Sequence, residues 1–327
     1  KSLKKLLEIL IFFWVLNCVR ENDLRDSIAV VLIASATLAT LFGFYQVWRD
    51  GFDEFGFANR IEGTLSVYMT FAGILMMVGI LASARVMFYR PLQRWVLASV
   101  GVILICLLFT LTRQAWFGLL VGSIFLIFIW RKKVLLLTPF IMIAIMLASP
   151  DAVKKRITSI VSGNDITIKM RINLWQVGWK IFNDYPLTGC GFRCVDLIHD
   201  QYPDPYTEQH PGYGGHNSVK HLRGMHNNFM QLAVDTGILG LTAWLGIWVC
   251  FFRLLYQRAE ALRRDHHECW VIFGSAAVAI AFILGGCFET NLYDSEVAML
   301  LYFIMALPIA GCYEKSPANL NSEVSKI

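Results

Sequence analysis

The chain has 327 residues, of which 56% are hydrophobic and only 16% are charged, and its mean hydropathy is +0.54. This balance is typical of a helical membrane protein and excludes a soluble α/β or sandwich domain. The formal charge of +5 comes from short basic clusters between apolar runs. Because these clusters form no single basic face, we expect no nucleic-acid partner.

Long apolar runs follow one another along the chain. Most are about 17 to 25 residues long, which is the length that a helix needs to cross a bilayer. The sequence therefore predicts an all-α, polytopic transmembrane helical bundle, forming one membrane-embedded domain over residues 1–327 with about nine spans. Because the chain begins with Lys1 and a short apolar run, we expect it to be truncated at the N-terminus. The predicted spans are residues 5–19, 26–46, 63–84, 94–112, 114–130, 134–149, 230–254, 270–288 and 297–313.

Basic residues between these runs predict the orientation of the bundle. They fall in three clusters, at residues 85–94, 131–133 and 253–264, and the positive-inside rule places all three in the cytoplasm. The large hydrophilic loop at 150–228 then lies outside, which in a Gram-negative cell is the periplasm. Lys1, Lys4 and Lys5 also fall outside, against the rule, and we attribute this conflict to the missing N-terminus. The polar tail at 314–327 is expected to be a flexible cytoplasmic segment.

The large loop itself contains a predicted helix. From Ile168 to Asn183 the apolar residues Ile172, Trp175, Trp179 and Phe182 recur at helical spacing. We expect this stripe to lie along the membrane surface or against the bundle. Asp184, Tyr185 and Pro186 end the helix.

The segment that follows is rich in turn residues and contains two nearby cysteines. Cys190 and Cys194 flank a GFR sequence. The sequence leaves open whether they form a disulfide or remain two free thiols.

Three polar residues stand at boundaries of apolar runs, where lipid offers no hydrogen bonds. Arg113 separates two runs, and it is either an interfacial residue that reaches water or an anion binder. Arg171 begins the loop helix and reads equally as a solvated charge. His226 precedes a long span, and the plainest interpretation is a helix-capping histidine bonded to Asn227 or Asn228.

Five histidines in the large loop suggest a metal site at first sight. Their spacing matches no helical zinc motif apart from one loose pair, so we predict no metal ligands. The chain also contains no P-loop and no dinucleotide fingerprint, and we expect no cofactor. The five are His199, His210, His216, His221 and His226.

Four motifs, in this order and spacing, resemble the O-antigen ligase family. This family comprises membrane glycosyltransferases that include lipopolysaccharide O-antigen ligases, related polysaccharide polymerases and protein O-oligosaccharyltransferases. The motifs extend from about residue 60 to residue 245. They are RIEGTLSVY from Arg60, TRQAW around Arg113, RINLWQVGWKIFNDYPLTGCGF from Arg171, and MHNNFMQLAVDTGILGL around His226.

The resemblance implies a bundle in the bacterial inner membrane with its active site facing the periplasm. The implied donor is a glycan on undecaprenyl diphosphate, and the implied acceptor is lipid A core or another glycan. Arg113 and Arg171 match the family arginines that hold the donor's diphosphate, and His226 matches the histidine proposed to activate the acceptor hydroxyl. Transfer would be metal-independent and would invert the anomeric carbon. Arg60 is a further donor-side candidate, or equally an interfacial anchor.

Neighbouring polar residues are assigned to the acceptor side of the same site. These are Asn227, Asn228 and His221. The chain departs from the family pattern at Thr112, where serine is common, and after Thr64, where Pro-Asn is missing.

These departures, with the long insert at 201–215, leave the acceptor open. A polymerase or a protein O-oligosaccharyltransferase remains an alternative to a ligase. A small-anion transporter is the alternative of a different class, and a purely structural protein is a third.

Overall fold

In a computed structural model, the protein is described at residue 5 and over residues 7–51, 60–65, 67–161, 166–198, 201–202, 224–262 and 268–310. Within these ranges the chain is helical and contains no strand, which confirms the predicted all-α class. The α-helices, in chain order, are α1 (Leu10–Cys18), α2 (Asn22–Asp50), α3 (Tyr68–Phe88), α4 (Arg94–Phe109), α5 (Arg113–Trp130), α6 (Thr138–Ala148), α7 (Asp151–Val161), α8 (Ile166–Asp184), α9 (Val195–Ile198), α10 (Asn228–Ala261), α11 (Cys269–Gly285) and α12 (Ser295–Ala306).

The centre of the bundle is built from α3, α5 and α11. Helix α3 is buried over most of its length, and α11 packs along it. On α5, Gly118 and Gly122 face the backbone of α11, where a Cβ would lie 2.9 Å from the carbonyl oxygen of Ala281 and 3.1 Å from that of Ala277. Small residues four apart on both helices let the two backbones approach closely, as in many membrane bundles. This contact fixes the start of α5 relative to the end of α11.

The count of nine spans is not confirmed. In the part of the chain that the structure describes, four helices are long and apolar enough to cross a membrane, namely α2, α3, α5 and α10. Helices α4, α11 and α12 are apolar but shorter. The run at 134–149 is divided between a 3-10 helix and the 11-residue α6. At 1.5 Å per residue α6 extends for only about 17 Å, about half of a bilayer core.

The helix directions agree with the predicted alternation. Helices α3, α5 and α10 each begin beside the cavity described below and end near Arg85, Arg131 and Arg258, which belong to the three basic clusters. Arg85, Arg131 and Arg258 therefore share the end of the bundle opposite the cavity. Lys5 Nζ lies 3.2 Å from Ser295 Oγ at the start of α12, which places Lys5 at the cavity end.

The predicted loop helix is present, and the face that it buries consists mainly of aliphatic residues. Helix α8 packs against α10 through Leu174, Val177 and Ile181. Ile172 and Trp179 are exposed. Trp175 of the predicted stripe packs against this cluster, so the stripe lies partly against the bundle and partly on its outer surface, which are the two placements expected from the sequence.

Helix α10 is broken at Gly237, where φ is 65° and ψ is −165°. The turn that follows α8 fills the break: Ile238 N donates to Pro186 O at 2.8 Å, and Cys190 N donates to Val234 O at 3.0 Å. A Cβ on Gly237 would lie 2.3 Å from Leu187 O, so this position requires glycine. The two motif segments YPLTGCGF and DTGILGL are thus one interlocked structure.

A disulfide joins Cys190 and Cys194 within this turn, which resolves the two alternatives that the sequence left open. The other cysteines of the described residues form no disulfide. The predicted tail at 314–327 lies outside the described residues, as does the 203–223 segment of the predicted loop.

Candidate active site

A cavity of about 210 Å³ lies at the end of the bundle where α5, α7, α8 and the start of α10 meet. It brings together the four residues for which the sequence predicted donor or catalytic roles, although they are far apart along the chain. The residues that line it are Arg60, Tyr68, Met69, Thr112, Arg113, Gln114, Arg156, Met170, Arg171, Leu174, His226 and Glu289.

His226 is paired with a carboxylate rather than with its neighbouring amides. Its Nδ1 lies 2.8 Å from Oε1 of Glu289, so the expected bond to Asn227 or Asn228 is wrong. Asn227 is the residue that caps α10, because its Oδ1 accepts from Phe229 N and Met230 N. With Nδ1 facing a carboxylate, the neutral ring carries its proton on Nδ1 and leaves Nε2 as an acceptor.

Glu289 links the histidine to an arginine. Its Oε2 lies 3.3 Å from Arg171 Nη2, and its side chain is only 9% exposed. Burial would raise the pKa of Glu289, but the hydrogen bond and charge of His226, the charge of Arg171 and the N–H of Thr290 outweigh burial. The pKa of Glu289 is therefore held below its ordinary value, and the group is an anion at neutral pH.

The backbone around His226 is held in an unusual conformation, with φ of 45°. The preceding residue, Met225, is fully buried and is clamped at both of its peptide groups: Trp175 Nε1 donates to its carbonyl at 2.9 Å, and its N–H donates to Gln231 Oε1 at 2.9 Å. Gln231 in turn donates to Asp235 Oδ1 at 3.1 Å. The αL conformation of a non-glycine residue is costly, and these bonds maintain it.

Asp235 connects this network to two further segments. Its Oδ2 accepts from Arg193 N at 3.1 Å, in the turn that interlocks with α10, and from the Tyr293 hydroxyl at 2.5 Å. The carboxylate is 2% exposed. The sequence analysis did not single out this residue, although an aspartate inside an apolar run is a recognisable signal.

The cationic side of the cavity contains four guanidinium groups, from Arg60, Arg113, Arg156 and Arg171. Arg60 stacks over the Tyr68 ring at 4.4 Å. Burial lowers the pKa of Arg60, the Tyr68 group opposes this, and the charge of Arg113 lowers the pKa further. Since Glu289 is the one carboxylate among the described residues of the lining, these residues together carry a marked excess of positive charge. Such a site favours a polyanionic ligand.

Three lining residues were missed by the sequence analysis. Glu289 directly follows the apolar run of α11, and its polar position at the cavity end was its only signal. Arg156 lies on the amphipathic α7 among lysines, where it resembles a solvated charge; its Nε donates to Leu111 O at 3.4 Å. Gln114 was part of the TRQAW motif but was given no role.

The residues assigned to the acceptor side are less informative. Asn228 is fully buried, with its N–H bonded to Gly286 O at 2.7 Å and its Oδ1 accepting from Leu292 N at 3.2 Å. Asn227 caps α10, and its N–H donates to Thr290 Oγ1 at 3.1 Å. Both amides hold the α10 start to the chain after α11, and their acceptor-side role stays a prediction. His221 lies outside the described residues, as do His199, His210 and His216.

A second, apolar groove of about 340 Å³ adjoins the cavity. The groove and the cavity share Arg113, Gln114 and Arg171. Phe117 and Phe288, which are 40% and 41% exposed, open the groove towards the flank of the bundle. Its remaining lining residues are Ile168, Ile172 and Trp175.

Within the described ranges, no three His, Cys, Asp or Glu side chains are grouped as a metal site would require. The cavity is therefore a cationic pocket with one carboxylate-held histidine, and it opens into an apolar groove.

Comparisons with known proteins find one similarity. The family model described as O-antigen ligase matches residues 97–245, a little under half of the chain. The matched segment contains Arg113, Arg156, Arg171 and His226. A search of curated proteins gave no match. Over residues 97–245 the chain is therefore similar to the O-antigen ligase family, whose members are glycosyl-transferring membrane enzymes.

Proposed function

We propose that the protein transfers a glycan from undecaprenyl diphosphate to a sugar hydroxyl at the periplasmic face of the inner membrane, with lipid A core as the acceptor. The observation that carries the proposal is the union of three features in one place: a histidine held by a carboxylate, an excess of guanidinium groups, and an adjoining apolar groove. A lipid-linked diphosphate has the matching parts, which are a polyanion, an apolar tail and a reactive anomeric carbon.

The reaction follows from this geometry. The acceptor hydroxyl gives its proton to Nε2 of His226 while its oxygen attacks the anomeric carbon. The bond between that carbon and the diphosphate oxygen breaks, and its electron pair stays on the departing diphosphate. Attack opposite the leaving group inverts the anomeric carbon. General base catalysis of this kind contributes roughly a hundredfold to ten-thousandfold in rate.

The arginines stabilise the charge that develops on the leaving group. Guanidinium groups bind phosphate oxygens through paired, charge-assisted hydrogen bonds, and such groups are most effective when they are already in position. Arg113 and Arg171 line both the cavity and the groove, so they are the arginines that a tailed diphosphate would meet first.

A complementation experiment tests the proposal. In a Gram-negative strain that lacks its O-antigen ligase, expression of the protein should restore long-chain lipopolysaccharide. His226→Ala, Arg113→Ala and Arg171→Ala should each abolish the product at normal membrane levels. Arg253→Ala, an exposed arginine at the opposite end of the bundle, is the matched control and should retain activity.

The outcome separates the alternatives. Accumulation of unattached, lipid-linked polymer would indicate a polymerase, and glycosylated protein would indicate an O-oligosaccharyltransferase. Anion flux in proteoliposomes without a glycan product would replace the proposal with transport. The interior of α3 and α11, between the pocket and the opposite end, is packed mainly with apolar side chains, and this favours transfer at one face.

A further inference from the structure

Gln114 is a polar side chain buried at the junction between the cationic cavity and the apolar groove. It lies in the first turn of α5, is 4% exposed, and lines both spaces. Of the two polar atoms of its amide group, only the oxygen has a hydrogen-bond partner among the described residues.

The orientation of the amide is defined by its neighbour. The Oε1 atom accepts from Ala115 N at 2.9 Å. Rotating the amide by 180° would set an NH₂ group against that N–H, so the observed assignment is the one that the hydrogen bonds support. The Nε2 atom is buried and, among the described residues, has no hydrogen-bond acceptor. A buried donor without an acceptor is uncommon in native proteins and calls for an explanation.

The helix end beside Gln114 favours an anion independently. Thr112, at the N-cap position of α5, donates its hydroxyl to Thr110 O at 3.0 Å and makes no side-chain cap to the helix. The N-terminus of this 18-residue helix therefore directs its positive dipole end towards the cavity. Both observations indicate a ligand oxygen at this junction.

A comparison of the residues that line both spaces with those that line only the cavity indicates which phosphate of the ligand carries that oxygen. Arg113, Gln114 and Arg171 line both spaces, whereas Arg60, Arg156 and His226 line only the cavity. A diphosphate with its tail in the groove has its lipid-side phosphate at the junction. Its glycan-side phosphate then lies deeper, near Arg60, Arg156 and His226.

We propose that Gln114 Nε2 donates a hydrogen bond to the lipid-side phosphate of the donor and so sets the position of the diphosphate along the pocket. The inference rests on the proposed function and deepens it. If the diphosphate were displaced by one phosphate, the anomeric carbon would move out of reach of His226. Gln114 is thus a positioning residue that distinguishes a correctly placed donor from a displaced one.

Binding of two short lipids to the purified full chain in detergent tests the inference. The probes are farnesyl diphosphate and farnesyl monophosphate, and the readout is isothermal titration calorimetry. Gln114→Met removes the hydrogen-bond donor Nε2 without a change of charge. The affinity for both probes should fall about three- to tenfold. Gln114→Glu keeps the Oε1 acceptor for Ala115 N but replaces the NH₂ group with a negatively charged carboxylate oxygen. The affinity for both probes should then fall at least about tenfold.

Two comparison variants make the result specific. Arg156→Gln should weaken the binding of farnesyl diphosphate but leave the affinity for farnesyl monophosphate within about twofold of the wild type, because Arg156 lines the cavity and not the groove. Gln176→Met, an exposed glutamine on α8, should leave both affinities unchanged. Thermal unfolding of each variant identifies those that fail to fold.

The outcomes separate this inference from the function on which it rests. If farnesol binds the wild-type protein as tightly as farnesyl diphosphate, the lipid diphosphate donor itself is wrong. If Arg113→Gln no longer binds farnesyl diphosphate while Gln114→Met binds both probes with wild-type affinity, only the role of Gln114 is overturned. Inorganic pyrophosphate that binds as tightly as farnesyl diphosphate, with the same loss in Gln114→Met, would overturn the lipid-side assignment.

Discussion

At the scale of single residues, the arrangement depends on a carboxylate that holds two partners at once. Oε1 of Glu289 faces His226 Nδ1, and Oε2 faces Arg171. The histidine's tautomer and an arginine's position are therefore controlled by one side chain. Any change at Glu289 therefore acts on both His226 and Arg171.

Glu289→Gln should lower transfer activity by about a hundredfold or more, because a neutral amide no longer enforces the Nδ1–H tautomer or stabilises the imidazolium that forms. The measurement is the initial rate of glycan transfer as a function of pH. A positioning role predicts a changed pH profile with an unchanged apparent Tm. Glu289→Asp should recover part of the rate, and a wild-type profile in Glu289→Gln would contradict the role.

At the scale of secondary structure elements, the site depends on the interlock between the α8 turn and the break in α10. Gly189 and Gly237 face each other across it, and both have positive φ. A Cβ on Gly189 would lie 2.4 Å from the backbone of Asp235. Because Asp235 bonds to Gln231 and Gln231 to Met225, the interlock is connected to the backbone that presents His226.

Gly237→Ala should destabilise the protein by about 2 kcal/mol or more, since the new Cβ meets Leu187 O in an unfavourable backbone conformation. The apparent Tm in detergent measures this effect, and activity should fall with it. Gly246→Ala, in the same helix but with open space around its Cβ, is the matched control and should be neutral or slightly stabilising. Equal Tm values for the two variants would refute the interlock.

At the scale of the whole molecule, the half-buried carboxylate of Asp294 at the cavity end makes stability depend on pH. Burial raises the pKa of Asp294 to about 6, with Glu289 and Glu296 adding to the rise and a hydrogen bond from Thr70 opposing it. The folded protein therefore binds this proton more tightly than the unfolded chain does. The contribution to stability grows as pH falls from about 6 towards 4, and it is absent above that range.

Asp294→Asn should remove this dependence while keeping an acceptor for the Thr70 hydroxyl. The measurement is the apparent Tm in detergent between pH 7 and pH 5. Over this range the wild type should gain stability relative to Asp294→Asn. Asp151→Asn alters an 88% exposed carboxylate and should behave like the wild type. If the wild type and Asp294→Asn shift equally with pH, the assignment is wrong.

Much of this architecture could be predicted from sequence, because apolar length and the placement of Arg and Lys are local signals. Those signals predicted the helical class, and the resemblance to the O-antigen ligase family pointed to Arg60, Arg113 and Arg171, which line the cavity. The partner of His226 could not be predicted, since Glu289 lies 63 residues away and ends an apolar run without any local pattern. The sequence left open which face of α8 is buried for a related reason, because burial there depends on the fit against α10.

The apolar groove has a consequence for how the proposed lipid-linked donor would reach the cavity. Phe117 and Phe288 line this groove and are exposed on the flank of the bundle. A long-chain lipid would therefore enter the groove directly from the bilayer. The quantity that saturates the enzyme is then the mole fraction of donor within the membrane or micelle. Adding detergent at a constant amount of donor should slow the reaction by two-dimensional dilution, although the bulk concentration has not changed.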